Sequence, residues 1–323
     1  MDNSALVQAL LDGPQTGVAL AERFGVTRAA VWKRIEQLRG LGLAIEAREQ
    51  QGYALTMPTP LLDAARIRDL LEPAMQAQIA DLHVVFETDS TQRPAMAQPA
   101  PAHGIAVWLA ETQRAGQGRR GKAWVSPPLA NIYCSVNRRF ALPMAAMAGF
   151  PLACAVILAD ALRAQGIDGL GVKWPNDLWL HGRKCAGLLI QLRGEAQGPC
   201  EVTLGFGINV NMPPAAGAGI DQAWTALAQH HGTLDRNRLL AGLLPALADG
   251  FARYERDGLA GFAARWQALD VLAGQPVRIL AAEGGIDGRA LGIDADGALR
   301  VALEAGGERR FHSGEVSVRR TDG

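Results

Sequence analysis

The chain has 323 residues, of which 49% are hydrophobic and 20% charged, and its 32 basic side chains are balanced by 32 acidic ones. A chain of this length predicts two or three domains. The zero net charge argues against a protein that coats nucleic acid, although it allows charged patches within individual segments.

Residues 1–60 predict a helix-turn-helix domain with a β-hairpin wing. The segment GVALAERFGVTRAAVWKRIEQLRGLG contains two helical patterns separated by Gly25, and Thr27 stands where it can cap the second helix. The following LAIEAREQQGYAL alternates and then turns at Gly52, as expected for a hairpin. A small helical interaction module is the alternative interpretation of this segment.

The charge of residues 1–60 predicts modest affinity for DNA. The segment holds six basic and six acidic side chains, but its second helix carries four basic residues against Glu36 alone. Such a surplus suits a few phosphate contacts, so we expect tight binding only when two copies bind together. The candidate DNA contacts are Gly17, Thr27, Arg28, Lys33, Arg34, Glu36 and Arg39.

Beyond a linker at residues 56–62, the patterns predict an α+β domain over residues 65–270 with a mixed or antiparallel sheet. Helices are expected at about 144–165 and 236–269. The uncharged stretch 141–159 approaches a membrane-spanning length, but its alanine, glycine and proline content predicts a buried helix instead. The predicted strands are HVVFETDST, GIAVWLAETQ, NIYCSVNRRF, GVKW, CAGLLIQLRG and VTLGFGINVN.

Residues 271–323 predict a small C-terminal β-barrel, because short alternating strands are separated by EGG, DADG and EAGG. The N-terminus MDNSALVQALL lacks the basic region of a signal peptide, and the four cysteines show no C-x-x-C spacing. We therefore expect buried free thiols, a cytoplasmic location and no association with membranes.

The segment TQRAGQGRRGKAWVSP predicts an anion site. From Thr112 to Ala159 the chain has no Asp or Glu, and it places six basic residues there. Glycine lets backbone N–H groups turn toward a phosphate or carboxylate, and arginine adds bidentate donors. The segment lacks the G-K-[ST] of a P-loop, and Trp124 offers a face on which a ligand ring could stack. A mobile surface loop with solvated charges is the competing interpretation.

Three further segments supply candidate site residues. In GVKWPNDLWL, Lys173 ends a short strand before a predicted turn that contains Asn176 and Asp177, and its fixed positive charge suits a carboxylate that becomes an acyl phosphate. In GFGINVN, Gly205 and Gly207 would allow a ligand to approach the backbone. In TDSTQ, the hydroxyls of residues 90 and 91 suit a compact polar group. Lys184 could start a strand at the site or lie at a solvated edge.

The sequence shows no spacing for a nucleophilic triad and none for a metal site, so we predict no protein-bound metal. The predicted chemistry is therefore positioning and charge stabilisation rather than covalent catalysis.

Taken together, these residues resemble biotin–protein ligases, specifically the bifunctional bacterial type that also represses the biotin operon. The motifs G-x-G-R-R-G-x-x-W, KWPND and G-x-G-I-N occur in the family's order, and the likeness covers essentially the whole chain. The resemblance implies a winged helix, a central domain like class II synthetases and biotin ligases, and an SH3-like barrel. It also implies that biotin and Mg-ATP form biotinyl-5′-AMP, which is transferred to a lysine of biotin carboxyl carrier protein. Operator DNA would be bound by an adenylate-loaded homodimer.

The resemblance also carries roles over to individual residues. Lys173 and Arg119 match catalytic positions. Gln117 stands where the family usually has arginine, and Gln92 where it often has asparagine. The implied biotin contacts are Ser90, Thr91, Gln92, Gln113, Gly116, Gln117, Gly118, Arg119, Lys173, Gly205 and Gly207. The implied ATP and adenylate contacts are Arg119, Arg120, Gly121, Trp124, Asn176, Asn209 and Trp224.

Two rival functions remain open from the sequence. One is a ligand-sensing DNA-binding regulator without turnover, which the intact Lys173 and Arg119–Gly121 disfavour. The other is a lipoate-type ligase of similar fold, which the tandem arginines and the helix-turn-helix disfavour.

Overall fold

The structure is a computed structural model that describes residues 1–57, 59–195, 197–281, 284–313 and 317–320. Residue 58 of the predicted linker lies outside the described residues. The same is true of residues 282–283, 314–316 and 321–323 of the predicted barrel. Three groups of secondary-structure elements follow one another along the chain.

The N-terminal group is the predicted winged helix-turn-helix. Thr16 and Thr27 cap the second and third helices, since their Oγ1 atoms accept hydrogen bonds from backbone N–H groups three residues later. Gly25 ends the second helix in left-handed backbone, with φ 63°. The elements are α1 (Asn3–Leu11), α2 (Gly17–Phe24), α3 (Arg28–Gly40), β1 (Ile45–Arg48) and β2 (Gly52–Leu55).

The central group contains a mixed sheet, as predicted, with seven strands where the sequence predicts six. The strand order is β3-β4-β5-β9-β8-β7-β6, with β3 and β4 parallel and the other pairs antiparallel. Its strands are β3 (Ile79–Thr88), β4 (Ile105–Gln113), β5 (Ile132–Phe140), β6 (Leu170–Lys173), β7 (Asp177–Leu180), β8 (Arg183–Gly194) and β9 (Cys200–Ile208). Its helices are α4 (Ala64–Asp69), α5 (Pro73–Gln76), α6 (Gln92–Ala97), α7 (Phe150–Ala164), α8 (Ala228–His231), α9 (Arg236–Asp257) and α10 (Ala260–Leu269).

The structure differs from the predicted elements at three places. Asp177 begins strand β7 where a turn alone was expected. The helix predicted from residue 144 is a short 3-10 turn at Met144–Met147, followed by α7 from Phe150. The helix predicted over 236–269 is interrupted by Gly258, whose φ of 58° ends α9 before α10 begins.

Helix α7 is the buried helix expected from the uncharged stretch. Most of its 15 residues are buried in the core between the sheet and α9, and at that length it is shorter than the roughly 20 residues that cross a bilayer. Among the described residues, no helix combines the length and apolarity that a bilayer crossing requires. The four cysteines are free and buried, as predicted.

The C-terminal group is a five-stranded antiparallel sheet in the order β13-β12-β11-β10-β14. Its apolar face, which includes Val277, Leu299 and Phe311, joins the same hydrophobic core as the central sheet. The strands are β10 (Pro276–Ala281), β11 (Gly284–Ile293), β12 (Leu299–Leu303), β13 (Glu308–Phe311) and β14 (Ser317–Arg320). Within the described residues, β13 and β14 are the two ends of the sheet, and no pairing between them closes a barrel.

The winged helix packs directly on the central domain. Phe86 and Leu129, which are 8% and 5% exposed, belong to the hydrophobic core of the winged helix rather than to that of the central sheet. Leu129 has φ 62°, and its carbonyl accepts a hydrogen bond of 2.7 Å from the Thr59 hydroxyl. Side chains of the central domain thus complete the core of the N-terminal domain.

A buried ion pair fastens the connection between these two domains. Arg236 and Glu111 are 1% and 2% exposed, and Arg236 Nη1 lies 2.7 Å from Glu111 Oε2. The same guanidinium donates to the Pro60 carbonyl at 2.8 Å, while Glu111 accepts from the Leu62 N–H at 2.5 Å. The pair therefore satisfies the buried N–H of Leu62 and holds the Pro60 carbonyl, so it anchors the connecting segment at two backbone groups.

Candidate active site

The glycine–arginine segment forms a short hairpin after β4. The Trp124 N–H donates to the Gly116 carbonyl at 2.8 Å and so joins the two arms. The tip, Arg119–Gly121, is a 3-10 turn in which Arg120 and Gly121 have φ values of 57° and 70°. Turns with left-handed residues can direct successive N–H groups toward an anion. Arg120 and Gly121 are exposed at this tip, whereas Arg119 is half-buried.

Basic side chains from separate parts of the chain gather around Asp177. Arg119 donates to the Asn176 carbonyl oxygen Oδ1 at 3.4 Å, and Lys184 Nζ lies 2.7 Å from Asp177 Oδ1. The charged neighbours of Lys173 are Asp177, Lys184, Arg319 and Lys122. Because several cations share one carboxylate, the cluster retains positive charge for an anionic ligand.

Lys173 is the half-buried lysine of this cluster that has no ion pair among the described residues. It ends β6 half-buried, with Nζ 4.7 Å from the ring centroid of Trp179, and it has no hydrogen bond or ion pair within the part of the chain that the structure describes. Burial lowers the pKa of Lys173 to about 8, an effect that the nearby Asp177 carboxylate only partly opposes. Burial also lowers the pKa of Arg119. A bound anion would stabilise both cations.

The Trp124 indole packs against two glycines that are paired on neighbouring strands of the sheet. Gly187 on β8 and Gly207 on β9 are partners in the sheet, and a Cβ atom on Gly207 would lie 2.5 Å from the indole. Lys184 Nζ, which pairs with Asp177, also lies 5.6 Å from the centroid of the Trp124 ring. The indole Nε1 is buried and has no hydrogen-bond partner among the residues that the structure describes. The sheet therefore presents the ring beside the cation cluster.

The hydroxyls at residues 90 and 91 belong to a buried polar network. Thr91 donates its N–H to Gln113 Oε1 at 2.9 Å, and its hydroxyl lies 2.8 Å from the Ser135 hydroxyl. The Gln92 amide donates to two strand carbonyls, and its Oε1 accepts from Ser135 at 3.3 Å. Ser90 Oγ accepts from the Gln92 N–H at 3.3 Å. The structure thus brings together the predicted residues Ser90, Thr91, Gln92 and Gln113. The side chains of Thr91 and Gln92 are hydrogen-bonded to other groups of the protein.

Gly205 and Gly207 contact side chains of the protein, whereas the sequence predicts that a ligand lies against them. Instead of a ligand, a side chain of the protein fills the space beside each glycine. A Cβ atom on Gly205 would lie 1.8 Å from Gln92 Oε1, just as one on Gly207 would meet Trp124. These glycines are needed because they let two side chains of the site pack against the sheet.

Asn209 and Trp224 are joined to the segment that follows β9. Asn209 is 4% exposed, and its amide donates to the Thr225 carbonyl at 3.1 Å. The Trp224 indole donates to the Gly217 carbonyl at 3.2 Å, and its backbone bridges to Lys184. The buried Asn209 therefore holds this segment against the end of β9. The half-buried Trp224 lies next to the ion pair of Lys184 with Asp177.

The structure adds residues that the sequence interpretation left out of the site. The sequence predicts Asp177 as a turn residue and allows Lys184 to be either a strand start or a solvated edge charge. Gly187 and Trp179 were not singled out. A usable signal was present, because Asp177 and Lys184 carry opposite charges on two strands joined by the tight turn at residues 181–182. Among the described residues, no three His, Cys, Asp or Glu side chains are placed to hold a metal ion.

The candidate DNA contacts lie on or next to α2 and α3, but they are not equally free. Arg28 and Lys33 are exposed. Arg34 donates to Asn3 Oδ1 of α1 at 3.4 Å, and Arg39 pairs with Glu36 at 2.6 Å while donating to a backbone carbonyl. Gly17 and Thr27 stand at the first turns of the two helices.

Three families match the chain in the order of its domains. They are "HTH domain" over residues 4–54, "Biotin/lipoate A/B protein ligase family" over 88–209 and "Biotin protein ligase C terminal domain" over 273–319. A relative from Salmonella typhimurium described as "Bifunctional ligase/repressor BirA" is 36% identical over 97% of this chain and 96% of its own length. The chain belongs to the bifunctional ligase/repressor family of biotin protein ligases. A Bacillus subtilis relative of the same description is 28% identical over 94% of this chain and 93% of its own length.

A solved structure supports the same fold for this biotin protein ligase. The biotin protein ligase from Aquifex aeolicus in complex with biotin and ATP aligns with a TM-score of 0.64 and 25% identity. The alignment covers 75% of this chain and 100% of the other.

Proposed function

We propose that this chain is an ATP-dependent biotin ligase that acts in two steps. In the first, a biotin carboxylate oxygen attacks the α-phosphorus of ATP, and pyrophosphate leaves. In the second, a lysine amine of biotin carboxyl carrier protein attacks the carbonyl carbon of biotinyl-5′-AMP, loses a proton and forms an amide as AMP leaves. The observation that carries this proposal is the unpaired Lys173 ammonium within a cluster of cations beside the arginine tip.

The chemistry of the first step explains this distribution of charge. A carboxylate and a triphosphate repel each other, so bringing them together needs positive charge held in place before the reaction. The fixed Lys173 would lie near the carboxylate and α-phosphate, and Arg119 would neutralise charge as the adenylyl group transfers to biotin and pyrophosphate leaves. Both cations lose hydration through burial, so their attraction for the reacting oxygens is stronger than it would be in water.

The two substrates would occupy neighbouring parts of the site. Biotin would lie at the polar network of Ser90, Thr91, Gln92 and Gln113, with the hairpin residues Gly116, Gln117 and Gly118 over it. The nucleotide would lie at Arg120, Gly121, Trp124 and Asn176, and the segment that Asn209 and Trp224 support would border the adenine. Mg²⁺ would arrive bound to the ATP phosphates, whose charge it partly neutralises.

The test of the ligase proposal is biotin-dependent exchange of labelled pyrophosphate into ATP. Exchange with biotin but not with lipoate is expected, followed by labelling of a carrier-protein lysine. No exchange with either acid would support a ligand-sensing regulator, and exchange with lipoate alone would support the lipoate-type ligase.

The lowered pKa of Lys173 predicts how adenylation depends on pH. Lys173 carries its charge below a pH of about 8 and loses it as the pH rises through that value. We therefore expect the rate of exchange to fall above this pH, with the loss of a single proton. In Lys173→Arg the fall should move to higher pH, because arginine keeps its charge. A pH profile unchanged by this substitution would contradict the role of Lys173.

We further propose that the protein represses transcription as an adenylate-loaded homodimer bound to operator DNA in the cytoplasm. The support is the helix-turn-helix together with Arg28 and Lys33, two exposed cations with no ion pair in the described part of the chain, which suit weak binding by one copy and tighter binding by two. Gel-shift experiments with the protein's own promoter region should give a complex only when biotin and ATP are present. Tight binding by a monomer without adenylate would contradict this proposal.

A further inference from the structure

Trp32 of α3 is a large aromatic side chain without a partner. It is 58% exposed, and within the described residues its indole has no hydrogen bond, ring contact or contact with a cation. Single exposed apolar residues are common on protein surfaces. Trp32 is different because it lies on α3, the helix of a helix-turn-helix motif that enters the major groove of DNA.

The outward face of α3 presents Trp32 among small and basic side chains. Val31, Ile35 and Leu38 are fully buried against the rest of the domain. Arg28 and Trp32 are four residues apart and therefore neighbours on the helix surface. The other exposed side chains of the first two turns are Ala29, Ala30 and Lys33.

The charge around Trp32 favours a polyanionic partner. No acidic residue occurs from Thr27 to Ile35, and the first one, Glu36, is paired with Arg39. A second protein surface that covered the indole would also have to cover unpaired basic side chains. DNA supplies phosphates for Arg28 and Lys33 and apolar groups on the base edges for the indole.

We infer that Trp32 selects a thymine in each operator half-site by packing its indole against the C5-methyl group in the major groove. The inference rests on the proposed repressor function and adds a determinant of its sequence preference. The N-terminal residues of such a helix meet the base edges, and thymine alone carries a methyl group there. The short side chains of Ala29 and Ala30 let the helix approach closely enough for the contact, while Arg28 and Lys33 reach the phosphates.

The experiment begins with selection of bound duplexes from a random-sequence pool, using the full-length protein with biotin and ATP. The wild-type protein should enrich a two-fold symmetric sequence with a thymine at one position of each half-site. Trp32→Ala should enrich the same sequence without a preference at that position. Leu70→Ala, which removes another exposed apolar side chain, from the turn that ends α4 in the central domain, should enrich the wild-type sequence. Thermal unfolding of each variant reports its folding.

A change in the DNA isolates the methyl group itself. Replacing the selected thymine by uracil removes only that group, so wild-type affinity should fall roughly fourfold, the effect of one buried carbon. Trp32→Ala should bind the two duplexes equally, whereas Arg28→Ala should bind both more weakly but keep the difference between them.

The outcomes separate this inference from the repressor proposal. If the wild-type protein enriches no sequence, the repressor function and this inference both fail. If it enriches a sequence and Trp32→Ala enriches the same one with the same preferences, only the role of Trp32 is overturned. A Trp32→Ala variant that alters self-association without DNA but leaves the selected sequence unchanged would assign Trp32 to a protein interface instead.

Discussion

Replacing Lys173 by alanine is expected to slow biotin adenylation roughly 100-fold or more, the scale of one lost electrostatic stabiliser. Lys173 is half-buried and has no ion pair among the described residues. Lys184 is already neutralised by Asp177 at 2.7 Å, and Lys122 is exposed to solvent. The lost charge should therefore not be replaced by a neighbour. Single-turnover formation of biotinyl-5′-AMP measures the effect, and a fall in kcat larger than any rise in the KM for biotin would indicate a role in the transition state.

The matched control for this variant is Arg278→Ala. It also removes one positive charge, but from an exposed ion pair with Asp287 on the C-terminal sheet, and it should leave adenylation unchanged. Lys173→Arg should retain more activity than Lys173→Ala below pH 8 because it preserves the charge. Turnover near the wild-type rate in Lys173→Ala would contradict the proposed role.

Replacing Arg236 by alanine is expected to lower the free energy of unfolding by about 3–5 kcal/mol, the cost of leaving a buried carboxylate unpaired. Glu111 would lose its counter-ion at 2% exposure, and the Pro60 carbonyl would lose a hydrogen bond. Urea denaturation of the full-length protein measures the change.

Arg265→Ala provides the comparison for Arg236→Ala. Arg265 pairs with Asp160 on the surface, where the two side chains are 45% and 41% exposed, so its loss should cost no more than about 1 kcal/mol. The double variant Arg236→Met with Glu111→Met should recover much of the lost stability, because it removes both buried charges. Equal stability of Arg236→Ala and Arg265→Ala would show that the buried pair does not fasten the interdomain connection.

Features encoded by neighbouring residues were predictable from the sequence. The winged helix is an example, because Thr27 caps α3 and Val31, Ile35 and Leu38 repeat at helical spacing, so the signal lies within one element. Lys173 is a predicted site residue for the same reason, since it stands at the end of an apolar strand two residues before Pro175. The order of the three domains also followed from changes in local pattern, although their boundaries at residues 60, 65 and 270 are still predictions.

Features that depend on contacts between distant segments could not be predicted. Asp177 was read as a turn residue because its strand is only four residues long and is recognisable only by its pairing with β6 and β8. Gly205 was expected to face a ligand, since the sequence does not show that Gln92, more than a hundred positions away, fills the space beside it. The ion pair of Glu111 with Arg236 likewise joins a strand to a helix that begins far along the chain.

The shared packing at Phe86 and Leu129 restricts how this chain could lose its N-terminal domain during evolution. Deleting the winged helix alone would expose both side chains to solvent. The remaining central and C-terminal domains would then carry an apolar surface that promotes aggregation. A viable single-function descendant would therefore need polar substitutions at these two positions as well as the shortened gene. Ancestral reconstruction could establish whether those replacements came before the truncation.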